Sequence, residues 1–182
     1  GPTGTSIDSL AYGPAATGIR FKAVDCEVTI AHSQLSCKAA VGVGHSLVFR
    51  LTIARLSSPD FASAATYAAP AVTLIDGATL MATQGGETVI VNGTNFGHVS
   101  EVAVAAVYGP AGDRGRYAPT ECRVTVSHVQ IQCTTVPGIG AGHGWTLTVA
   151  GVDSTVSSAE TAYKAPTVVD VSGPGADDAT TQ

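Results

Sequence analysis

The chain has 182 residues, with nine Lys and Arg against 14 Asp and Glu, a formal net charge of −5, 13% charged residues and 5% aromatic residues. No basic cluster exceeds the Arg114, Arg116 pair, which excludes the phosphate-tracking stripe of a nucleic-acid binder, and the longest apolar run, Val102 to Tyr108, is strand-sized and too short for membrane insertion. A hydrophobic fraction of 45% argues against disorder, while 21 Gly and 9 Pro predict a turn-rich fold of one or two domains whose core is built from Val, Ile and Leu.

Gly1-Pro2 opens the chain without Met and without a signal-peptide pattern, so the expectation is a mature product or a fragment. Cys26 and Cys37 bracket Glu-Val-Thr-Ile-Ala-His-Ser-Gln-Leu-Ser, which reads as strand, tight turn at Ala31/His32, strand. Folding there sets the two Cys opposite one another, with Cβ atoms about 4.5–5.5 Å apart and near disulfide range. Phe49, Leu51 and Ile53 alternate as a half-buried strand does. Thr88 to Val91 continues the β-branched theme after Gly85-Gly86, and Cys122 to Cys133 repeats the two-cysteine hairpin with its turn at Ser127/His128. Val124 to Val126 and Trp145 to Val149 are further strands, and the Gly138–Gly142 run leads into a strand, so it is a tight turn and not a phosphate-cradling helix start. No sustained 3.6-residue apolar period appears, so the chain is read as all-β with helix only as a stray turn.

A shift of 96 residues superimposes the chain on itself. Tyr12-Gly13-Pro14 falls on Tyr108-Gly109-Pro110, Cys26 and Cys37 on Cys122 and Cys133, His32 and Gln34 on His128 and Gln130, and Tyr67 with Pro70 on Tyr163 with Pro166. Two diverged copies of one domain follow, with short strands every 8 to 12 residues in a repeat of about 96, the pattern of a two-sheet sandwich of immunoglobulin type. Matching Cys pairs without the close Cys-x2-Cys spacing of zinc sites predict two disulfides, Cys26–Cys37 and Cys122–Cys133, each contributing roughly 2–3 kcal/mol, and an oxidising, extracellular or cell-surface location.

The stretch Pro70-Ala-Val-Thr-Leu-Ile-Asp-Gly77, then Gly85-Gly-Glu-Thr-Val-Ile-Val-Asn-Gly-Thr-Asn-Phe-Gly97, Tyr108-Gly109, the Cys122/Cys133 pair and Tyr163 together resemble the IPT/TIG domain. That resemblance implies tandem immunoglobulin-like β-sandwiches, as found in plexin-like receptors, long extracellular repeat arrays, Rel-type transcription factors and accessory modules of starch-acting enzymes. The paired Cys are similar to the cell-surface branch. Within the signature, Val89 and Val91 are expected on one face, Asn92-Gly93 and Asn95-Phe96-Gly97 in turns, and Phe96 inward.

The domain reading is residues 1–69 as an incomplete copy lacking its first strands, 70–165 as a complete copy, and 166–182 as an orphan first strand. Pro166, Val168, Val169 and Val171 then await burial, and an incomplete sandwich with an open edge invites such a strand from another chain. The expectation is head-to-tail self-association into a filament, with the counterpart of Gly85 to Phe96 missing or replaced; the alternative is a stretch cut from a longer tandem array completed by covalent neighbours.

Asn92-Gly93-Thr94 is a glycosylation sequon expected in an exposed turn, and the Ser57-Ser58-Pro59 and Ser154–Thr161 stretches are either O-linked sites or polar loops. His32 and His128 share the hairpin turn, His45 and His143 precede a long strand, and both pairs read as structural; Asp177-Asp178 lacks the spaced ligands of a calcium loop. No nucleophile pattern stands out, so the reading is a non-enzymatic extracellular structural protein without cofactor, metal or nucleic-acid partner, with glycans as candidate adducts. The alternative is a receptor or adhesin binding module, which calls for exposed aromatics, with Tyr117 and Trp145 as candidates. A sugar-binding accessory module comes third.

Overall fold

The structure, a computed structural model, describes residues 6–77, 79–99 and 102–173; Gly1-Pro2, Asp177-Asp178 and the end of the expected orphan strand lie outside the described residues. The described residues are all-β, with strands, turns and no helix, as expected from runs of Val, Ile and Thr punctuated by Gly and Pro.

In the N-terminal half the strands are β1 (Ile7–Pro14), β2 (Phe21–Lys22), β3 (Val24–Ile30), β4 (Gln34–Lys38), β5 (Leu47–Ile53), β6 (Leu56–Ser57) and β7 (Phe61–Ala62). Antiparallel β1 and β5 form the spine of one sheet, with β2 on the far side of β1 and the short β6 and β7 on β5. The cysteine hairpin β3–β4 is a separate two-stranded sheet.

The C-terminal half holds β8 (Ala71–Gly77), β9 (Leu80–Met81), β10 (Thr88–Thr94), β11 (Val104–Gly109), β12 (Thr120–Val126), β13 (Gln130–Thr134), β14 (His143–Val149), β15 (Val152–Asp153) and β16 (Glu160–Tyr163). One sheet runs β12-β13-β10-β8, the other β11-β14-β16-β9 with β15 on β14. Their inner faces share one core: Val89 and Val91 of β10 and Ile131 and Cys133 of β13 pack in one cluster with Tyr108, Trp145 and Leu147 of the facing sheet. Two sheets closing on a single apolar layer is β-sandwich packing. Period-two alternation explains which residues face in, since Val89 and Val91 are buried while Ile90 and Asn92 between and after them are not.

Unusual backbone conformations recur in the two halves. His32 and His128 have φ of 63° and 67° in the two hairpin turns, Asp25 and Glu121 have 50° and 52°, and Ala54 and Ala150 have 48° and 49°. His is among the residues enriched in the left-handed region, so the hairpin His serves the turn's backbone. Ser33 N–H donates to the Ile30 carbonyl and Val129 N–H to the Val126 carbonyl, each at 3.2 Å, closing equivalent turns.

One turn expectation is corrected. Asn95 and Gly97 do have positive φ (63° and 79°) and Phe96 is buried, but Asn92-Gly93 lies inside β10, not in a turn. Pairing on both sides overrides the local preference, and the register with β8 shifts between Asn92 and Gly93. Gly93 is needed there because a Cβ would collide with the Ala71 carbonyl and the Phe96 ring.

Candidate assembly site

Both disulfides expected from spacing are present, Cys26–Cys37 and Cys122–Cys133, each with Cα atoms 4.1 Å apart. The two hairpins differ in what lies against them. In the C-terminal half β13 pairs with β12 on one edge and with β10 on the other, setting Val89 opposite Cys133 and Val91 opposite Ile131. In the N-terminal half β4 pairs with β3, and its other edge has no strand among the described residues.

That edge borders an open apolar face. A groove of about 590 Å³ runs between the hairpin and β5, lined by Val28 and Leu35 on one side and Leu51, Ile53 and Phe61 on the other. A further cavity of about 270 Å³ lies between the same layers, walled by Leu10, Tyr12, Ala23, Leu47, Phe49 and Tyr67. Residue by residue the contrast with the closed half is consistent. Leu35, Cys37, Phe49, Leu51 and Ile53 are half-buried, whereas Ile131, Cys133, Trp145, Leu147 and Val149, each 96 positions later, are buried. The smaller core comprises Tyr12, Ala23 and Leu47 with partly buried neighbours.

The aromatic supports show the same difference. Tyr163 Oη donates to the Val136 carbonyl at 2.6 Å and lies 2.6 Å from Tyr108 Oη, with Trp145 stacked on Tyr108 at 4.4 Å. Tyr67 Oη donates to the Ala40 carbonyl at 2.8 Å and lies 2.9 Å from Tyr12 Oη, while Phe49 stacks on Tyr12 at 5.2 Å. Burial first, then the hydrogen bond to the partner phenol, pushes both Tyr163 and Tyr67 well above the ordinary phenol range.

Residues 164–173 form no strand, and Val168, Val169 and Val171 are 78%, 92% and 73% exposed. Pro166 lines a pocket together with Ile139, Tyr163 and Lys164. Asn92 sits on the outward side of β10, where its Nδ2 donates to Asp76 Oδ2 at 2.8 Å and its Oδ1 accepts from Gln130 Nε2 at 3.2 Å.

Several sequence expectations are changed by the packing. Trp145 is fully buried, with its indole N–H donating to Thr161 Oγ1 at 3.0 Å, and Tyr117 is half-buried with its hydroxyl donating to the Ile139 carbonyl, so neither is an exposed aromatic platform. Ser154 and Ser157 are turned inward to accept from the Leu147 and Trp145 amides at 3.0 and 2.9 Å, which makes them structural rather than exposed loop hydroxyls. His143 is fully buried among Tyr108, Tyr117 and Tyr163 with neither ring nitrogen hydrogen-bonded, whereas His45 is exposed. Among the described residues no group of three or more His, Cys, Asp or Glu is placed to hold a metal, and no helix is long and apolar enough to cross a membrane.

No family model, no curated protein and no solved structure matches this chain.

Proposed function

We propose that this chain is a non-enzymatic extracellular structural protein of tandem immunoglobulin-like, IPT/TIG-like sandwiches, working as a subunit or segment of a head-to-tail filament or surface repeat array. The observation that carries the reading is the open inner face of residues 6–69 beside the closed one of residues 70–165, although the residues that line the two are nearly the same. A half-formed sandwich loses apolar burial at about 25 cal/mol per Å² left wet, so the N-terminal half gains from a strand supplied by a neighbour. The exposed valines of 166–171 have the matching need. The recurrence of disulfides, turn conformations and tyrosine pairs at a spacing of 96 supports the repeat, and two disulfides in a small β protein support a compartment outside the cytosol. Asn92, on the outer surface of its sheet, is the proposed glycan attachment point, checked by intact mass before and after deglycosylation.

The test is electron microscopy of the purified chain alongside a variant lacking 166–182. Periodic fibres that vanish on deletion are the expected result. Unchanged fibres overturn strand supply by this segment, and isolated particles at every concentration overturn the filament.

A further inference from the structure

Resting on the assembly reading above, we propose that the edge of β4 left unpaired among the described residues is an acceptor for residues 168–172 of a second copy of this chain, added antiparallel with Val169 opposite Cys37 and Val171 opposite Leu35. The register is taken from the closed half, where β10 lies on β13 with Val89 opposite Cys133 and Val91 opposite Ile131. Val169 and Val171 share the i, i+2 spacing of Val89 and Val91, so both enter the same face, the one lined by half-buried Leu35, Leu51 and Ile53. By position in the repeat, 166–173 corresponds to β8, and Gly173 even shares a positive φ with Gly77 (126° and 83°). Yet β8 reaches its sandwich only through β10. A copy of β8 would find no counterpart of β10 among the described residues of the N-terminal half, whereas a strand used in the β10 manner pairs directly with β4.

Charge is compatible with the same arrangement. In this register Asp170 stands opposite Ser36 on the outer face and diagonal to Lys38, within reach of its long side chain. Lys38 already meets Asp25 at 2.8 Å, both largely exposed, and its ammonium has hydrogens for a second carboxylate. Lys on an open edge also discourages indiscriminate pairing, so an acidic residue in the incoming strand confers selectivity. A contact between this donor on one copy and this acceptor on another is heterologous, and it builds a filament where the rotation does not close a ring.

The experiment mixes two full-length variants, Asp170→Cys and Ser36→Cys, under mild oxidation, and maps the products by mass spectrometry. Opposed residues lie about 5 Å apart at Cβ and cross-link, whereas Asp170→Cys mixed with Glu27→Cys, one strand further away, does not. In parallel, Val169→Asp/Val171→Asp, at positions exposed in the single chain, is expected to weaken self-association in sedimentation by at least about tenfold without changing the circular dichroism spectrum. If oligomers form but cross-link no better through Ser36→Cys than through Glu27→Cys, or survive the valine substitutions, the register is overturned and the filament reading stands. If the unsubstituted chain never associates, both fall. A cross-link within a double-cysteine chain that stays monomeric overturns a second copy as the occupant.

Discussion

Leu147 of β14 and Leu51 of β5 are the same residue type in different packing, and they separate closed from open cleanly. Leu147 has no exposed surface, so Leu147→Ala removes buried methyl groups and leaves an enclosed void, a change that costs about 3–5 kcal/mol. Leu51 is half-buried on a groove that admits water, so in the single chain Leu51→Ala forfeits part of the transfer energy and creates no sealed cavity, about 1 kcal/mol. The assay is denaturant unfolding followed by the fluorescence of Trp145, the one Trp, which stacks on Tyr108 at 4.4 Å and so reports on the C-terminal core. Leu147→Ala should move that transition strongly and Leu51→Ala should leave it in place. Amide exchange in β5 reads the smaller effect of Leu51→Ala. If a strand from a neighbour closes the groove, the cost of Leu51→Ala should climb toward that of Leu147→Ala. Equal costs in the monomer would refute the open-core argument.

Three more predictions come from the paired elements. On titration with reductant, Cys26–Cys37 should open before Cys122–Cys133, because Cys37 is half-buried and Cys133 fully buried; peptide mapping of alkylated cysteines reads the order, and simultaneous opening counts against the difference. Tyr67 and Tyr163 hold their protons above the ordinary phenol range when folded, so their contribution is fully present below the unfolded value of about 10 and is lost as pH rises beyond it. Phenolate absorbance should therefore show these two ionising only with alkaline unfolding, and reversible titration of all five Tyr near pH 10 in folded protein would contradict this. His143→Phe removes two buried nitrogens without partners while keeping a ring against Tyr117 and Tyr163, and should raise stability by about 1 kcal/mol; a clear loss in thermal unfolding would show that the imidazole is held by a polar contact.

Much of the local structure was legible because it depends on near neighbours. Ten residues between Cys26 and Cys37 and a His tolerant of positive φ specify the hairpin, and the Val89, Val91 alternation specifies an inward face. Asn92-Gly93 misled because a dipeptide that favours turns was captured between two flanking strands, where the same Gly serves close approach to Ala71. Trp145 and His143 were placed by long-range layering that no window of sequence displays. The open site was hardest to read in detail, since Leu51 and Leu147, or Cys37 and Cys133, are identical letters, and their different burial comes from strands packed from elsewhere.

The disulfide across β3 and β4 also governs how load would pass through this edge. Hydrogen bonds between two strands can be peeled one at a time from an end, which is the weakest way to pull a hairpin. With Cys26 bonded to Cys37, tension drawn along β4 passes covalently into β3 beyond the first few residues. The hairpin must then slide as a block instead of unzipping, so a strand added at this edge would be anchored on a ribbon that resists being stripped open.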